Sequence, residues 1–113
     1  LAFLIDPYPA VIASRGVNYL ASLHGLKRLH PSHNLLTASH VPADFPGRVF
    51  RIDHKGKPSK SDAKAGFSVI SRGFPQRADQ IKSALKCTEN EERFLIATLW
   101  GDKNKGLLQC TRV

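Results

Sequence analysis

The last quarter of the chain constrains the fold most. Two runs, RFLIATLW (93–100) and KGLLQCTRV (105–113), flank the turn residues GDKN (101–104). Apolar and β-branched residues on both sides of such a turn predict an antiparallel hairpin. The chain is therefore committed to a sheet. The question becomes which other segments can join it.

Arg48 to His54 (RVFRIDH) alternates. Val49, Arg51 and Asp53 fall on one face, and Phe50, Ile52 and His54 on the other, which is a strand pattern. Phe67 to Ser71 is a second, shorter strand candidate, ended by Arg72-Gly73. Pro75 to Lys86 predicts a helix. Pro75 suits a first helical position, and Ala78, Ile81 and Leu85 line one face. Asp79 early and Lys82 and Lys86 late match the helix dipole. Val17, Leu20, Leu23, Leu26 and Leu29 recur at near-helical spacing, broken by Gly16 and Gly25, and predict one or two helices. Residues 1–10 read as an extended arm, because Pro7 and Pro9 oppose a helix there. Residues 31–47 are rich in breakers and read as loop. Residues 55–66 (KGKPSKSDAKAG) read as an exposed mobile basic loop, and Glu89 to Glu92 as an acidic, solvated turn.

These elements predict an α+β fold: an N-terminal helical segment, then a mainly antiparallel sheet of about four strands with one packed helix. The 113 residues suffice for a single domain, 1–113, and 42% of them are hydrophobic, enough for a packed core. The longest apolar runs are too short for a transmembrane helix. The chain begins at Leu1 and contains no Met, as expected of a processed product, a fragment or a cloned domain. No secretory signal is recognisable at its start.

Seventeen Lys and Arg oppose nine Asp and Glu, a formal net charge of +8. Such a charge attracts anionic partners, whether nucleic acid, nucleotide, membrane or acidic protein. Cys87 and Cys110 lack zinc-site spacing, and no metal is assigned. A disulfide between them would be worth roughly 3 kcal/mol in the chain-entropy model and would point to a secreted life. Two separate buried thiols are the equal alternative.

The stretch Val49-Phe50-Arg51-Ile52-Asp53-His54-Lys55, followed by Pro58 and by Gly66-Phe67, resembles the opening motif of the pertussis-type and cholera-type mono-ADP-ribosyltransferase toxins. The resemblance covers this N-terminal NAD-site motif. It implies a toxin or effector domain, secreted or delivered, that binds NAD and transfers ADP-ribose to a macromolecular target, a protein or nucleic acid. Arg51 would be catalytic and NAD-binding, since guanidinium offers a bidentate fork for phosphate. Asp53 would support its strand. Thr98 would stand in for the family's Ser-Thr-Ser pocket strand, and Glu91 of Glu89-Asn90-Glu91 for its catalytic Glu. The order of these motifs departs from the family's, since Glu91 precedes Thr98. That implies an incomplete or inactive relative, or one needing a partner chain or the rest of a precursor.

Two alternatives stand beside it. A metal-independent ribonuclease toxin would use His54, with His24, His30, His33 and His40 as further acid–base candidates and Lys55, Lys57, Lys60 and Arg72 as cations. A non-enzymatic polyanion-binding module would use the Lys-rich loop at 55–64 with Phe50 and Phe67.

Overall fold

The computed structural model describes residues 2–100 and 104–113. Among the described residues seven strands form one sheet in the order β2-β3-β1-β4-β7-β6-β5, with four short helices. The strands are β1 (Phe3–Pro7), β2 (Lys27–Arg28), β3 (Leu36–Ala38), β4 (Gly47–Lys55), β5 (Ser68–Arg72), β6 (Arg93–Trp100) and β7 (Asn104–Arg112). The helices are α1 (Pro9–Ala13), α2 (Val17–Leu23), α3 (Lys60–Ala65) and α4 (Ala78–Leu85). The sheet curls into a half-barrel. This replaces the expected four strands and single helix.

The alternating Arg48–His54 run is β4, one strand near the middle of the sheet. It pairs antiparallel with β1 on one side and β7 on the other. Its register shifts between Ile52 and His54, so the strict alternation expected of His54 breaks at a bulge. β6 and β7 form the expected antiparallel pair from Arg93↔Thr111 to Trp100↔Asn104. Of the expected GDKN turn, Gly101, Asp102 and Lys103 lie outside the described residues. β5 runs parallel to β6, which requires a crossover, and α4 lies on that connection.

The expected extended arm is β1, a strand hydrogen-bonded on both sides, by β3 and β4. Pro7 closes the strand and Pro9 opens α1, where a missing N–H costs nothing. The expected basic loop contains α3. Ser59 caps it, its Oγ accepting from the Asp62 N–H at 3.1 Å. Composition hid this helix because its buried contact is a lone alanine, Ala63.

Period-2 alternation sorts the core into two faces. The concave face carries Leu4, Phe50, Ile70, Phe94, Ile96, Leu108 and Cys110, closed over by Leu29 and Leu35. On the convex face α1 and α2 cover Ile5, Leu36 and Val49. α3 and α4 cover Leu95, Ala97 and Leu107. Cys110 is concave and Cys87 belongs to the α3–α4 cluster, so the sheet stands between them and both are free. The disulfide alternative is excluded on that ground. Among the described residues no helix is long and apolar enough to cross a membrane.

Candidate functional site

At one rim of the half-barrel the concave face turns from apolar to charged. Asp6 follows Leu4 on β1, Arg48 precedes Phe50 on β4, and Arg72 follows Ile70 on β5. Each shares the inward face of its apolar neighbour by alternation. Asp6 is only 6% exposed. A carboxylate that deep needs compensating partners, and it has two. Arg48 Nη2 donates to Asp6 Oδ2 at 2.8 Å, and Arg72 Nη2 donates to the same oxygen at 3.2 Å. The Arg48 guanidinium also lies 5.5 Å from the Phe50 ring centroid and 5.7 Å from that of Phe94, a cation–π arrangement that anchors it on the core. Arg72 Nη1 donates to the Ser71 carbonyl at 3.1 Å. Two guanidiniums on one carboxylate leave a unit of positive charge beside a cavity of about 450 Å³, lined also by Tyr8, Pro9 and Ile12.

Beyond Arg72 lies a buried imidazole. His33, in the β2–β3 connection, accepts from the Leu35 N–H at Nδ1 (3.2 Å). Its Nε2 therefore carries the proton and donates toward the Leu99 carbonyl at 2.9 Å, with Thr98 Oγ1 also at 2.9 Å. Burial pushes the His33 pKa down. The bond to Leu99 opposes this, and the charges of His30, Arg28 and Arg72 reinforce it. His33 is thus a neutral structural ring. His30 stacks on it at 5.8 Å between centroids.

A second concavity, of about 400 Å³, lies on the opposite side of the sheet between α3 and the end of α4. Lys57, Lys60, Lys64 and Lys86 ring it over Ala63 and Leu85. Part of the +8 charge anticipated from composition is concentrated here.

The residues singled out by sequence are dispersed. Arg51 is 57% exposed on its side chain and pairs with Asp53 on its own strand at 2.9 Å, on the convex face opposite Phe50. The Asp53 carboxyl is held below its ordinary range. Desolvation works against this, but hydrogen bonds from Thr111 and Arg51 outweigh it. Thr98 is fully buried on the concave face, bonded to His33. Glu91 is exposed in the turn before β6. The structure brings Arg51 and Asp53 together and leaves Thr98 on the other face of the sheet. His54 and Lys55 are exposed at the end of β4. Asp6 and Arg48 went unnoticed. The legible signal was an arginine two residues before Phe50, on a face that the strand pattern made apolar.

No family model matches the chain, and no curated protein matches it. One solved structure is similar over 99% of this chain, with a TM-score of 0.88 and 24% sequence identity. It is described as a "putative methyltransferase" from Porphyromonas gingivalis W83. The two share a fold. The chain spans 29% of that protein's length. This likeness overturns the ADP-ribosyltransferase resemblance, and with it the toxin reading and NAD as the bound substrate. A short motif such as residues 49–67 repeats easily by chance, whereas a whole-chain backbone match does not. The ribonuclease and polyanion-binding alternatives gain no support from it either.

Proposed function

We propose that this chain is a substrate-holding, non-catalytic module of a longer methyltransferase-type polypeptide. One observation carries the reading: nearly all of this chain corresponds to less than a third of the similar protein. The remaining length of such a polypeptide is ample for a separate catalytic domain. Fold alone does not transmit activity, so the division of labour is argued from the residues here.

Methyl transfer implies S-adenosylmethionine as donor. Among the described residues, those lining the two cavities above do not fit it whole. The donor carries a carboxylate and an adenine, which cations and an aromatic ring can serve, but also a cationic sulfonium, an ammonium and a ribose diol, which need free carboxylates or carbonyls. In the rim cavity the carboxylate is Asp6, already occupied by two arginines. In the second cavity four lysines would repel a cation. Among the described residues the sheet is antiparallel except at β5–β6, unlike the doubly wound parallel sheets whose strand ends take nucleotide cofactors. The donor site is therefore assigned to the rest of the polypeptide, and the arginine-lined cavity to the group that is presented to it.

Calorimetric titration of this chain with S-adenosylmethionine tests the division. The expected result is no saturable heat up to millimolar donor. Saturable binding at micromolar donor would overturn the reading. In the longer polypeptide, Arg72→Gln should raise KM for the methyl acceptor while kcat stays within about twofold, the pattern of lost uniform binding.

A further inference from the structure

The rim cavity carries more information than its charge. We propose that Arg48, Arg72 and Tyr8 form a site for a phosphomonoester joined to a planar base, the chemistry of a nucleotide. The inference rests on the substrate-holding reading and names what the site holds.

The anion end is built, not merely charged. Asp6 is buried and presents one oxygen to both Nη2 atoms, so the carboxylate sets where the two guanidiniums sit. Arg48 is fixed further by the Phe50 and Phe94 rings, and Arg72 by the Ser71 carbonyl. Among the described residues Arg48 gives one hydrogen bond to protein and Arg72 gives two. Each guanidinium has five N–H donors, so most remain for a ligand. Their side chains are 30% and 40% exposed, open enough to be reached and covered enough to be held.

The charge and the geometry select the ligand. Asp6 neutralises one cation and leaves the other, so the site takes an anion. A carboxylate has two oxygens and satisfies one fork. A tetrahedral phosphate offers three, and can bond both guanidiniums without displacing Asp6. The cavity volume of about 450 Å³ falls within the usual range for small-molecule sites. Its opposite wall is apolar, from Pro9, Ile12 and Ala13. Tyr8 stands on that wall, 47% exposed, between two prolines. Its N–H is tied to the Pro46 carbonyl at 3.0 Å. A half-exposed aromatic ring on a stiff segment is a stacking platform for a base.

Adenosine 5′-monophosphate, ribose 5-phosphate and adenosine separate the parts of the site. Calorimetry and amide chemical-shift mapping on the whole chain should show the monophosphate binding best. Ribose 5-phosphate should bind about tenfold more weakly through loss of stacking, and adenosine more weakly still. Shifts should centre on Asp6, Tyr8, Arg48 and Arg72. Arg72→Gln should weaken the monophosphate by about tenfold or more, the loss of a charge-assisted pair. Arg72→Lys should not restore it, because lysine lacks the fork. Tyr8→Ala, a surface change that leaves the core intact, should erase the preference for the monophosphate over ribose 5-phosphate. The proposal is overturned by an absence of binding. It is equally overturned if Lys60→Gln with Lys64→Gln abolishes binding while Arg72→Gln does not, or if Tyr8→Ala leaves the preference unchanged. Failure of nucleotide binding leaves the expected S-adenosylmethionine result unchanged. Micromolar donor binding that survives Arg72→Gln and Tyr8→Ala overturns the division of labour without touching the nucleotide site, so the two ideas fail separately.

Discussion

Arg72 on β5 donates to Asp6 on β1 at 3.2 Å, although β4, β7 and β6 lie between those strands in the sheet. The contact spans the curl. It joins an edge strand to one near the other end of the sheet, and it does so at a charged rim above an apolar concave core. The same carboxylate holds Arg48, so one side chain organises both the closure and the candidate site.

Removing that carboxylate should therefore cost more than one surface ion pair. Asp6→Asn leaves two guanidiniums crowded together without their anion. Breaking a buried pair costs about 3–5 kcal/mol. The arginines are partly solvated, so about 2 kcal/mol is expected. Urea unfolding of Asp6→Asn, Arg72→Gln and the double variant tests this. The double variant should be less destabilised than the sum of the singles, because the second change removes the repulsion left by the first. Strict additivity would count against a shared cluster.

Stability should fall as the solution is acidified through the histidine range. His33 is neutral in the fold, with its pKa pushed below the ordinary 6.5 by burial. The unfolded chain then binds the extra proton first, so stability is fully present above pH 6.5 and is lost as pH falls toward the lowered folded value. Protonation would also set an Nδ1 proton against the Leu35 N–H. Unfolding midpoints measured between pH 7.5 and 5 should decline for the wild type and flatten in His33→Gln. Parallel slopes would assign the decline to other groups.

Gly66 should not tolerate alanine. Its φ is +115°, outside what side chains accept, and an added Cβ would come within 2.9 Å of the Glu89 carbonyl oxygen. The position joins α3 to β5 against the 87–90 segment. Gly66→Ala should destabilise by more than about 1 kcal/mol, since φ strain and overpacking add. Gly56→Ala makes a useful contrast. It has the same φ but open space, so its cost should be the smaller of the two in the same denaturation experiment.

Both cysteines should remain thiols and react slowly. Burial pushes the Cys110 thiol up to about 12, with the Asp53 charge adding to the effect, and burial raises Cys87 as well. Thiolate is the reactive form, so alkylation of the native chain should be slow and should accelerate on unfolding. Mass spectrometry after iodoacetamide should find two modifications in denaturant without prior reduction. A chain that takes up label only after reduction would contradict the two-faced placement of Cys87 and Cys110.

Local pattern was enough for the long elements. Alternation placed β4, the two apolar runs placed β6 and β7, and Ile81 and Leu85 placed α4, because each of these reports its own burial within a few residues. It was not enough for β1, where Pro7 and Pro9 mark ends that resemble a broken arm, nor for β2 and β3, which are two and three residues long and exist through their partners. The site followed the same division. Arg51 drew attention because its neighbours made a motif, yet its partner is the adjacent Asp53 at the surface. Asp6, Arg48 and Arg72 carry no motif. They lie in three separate segments, and only the curl of the sheet brings them to one oxygen atom.

The amino-acid order by itself determined which residues prefer a strand or a helix and that the chain is strongly basic, since these are properties of neighbours and of sums. Tertiary structure alone decided that seven described strands curl into one half-barrel and that a buried carboxylate collects two distant arginines. The reason is physical: burial of charge is tolerated only where opposite charge arrives to meet it, and that arrival depends on strand order and curl rather than on spacing along the chain.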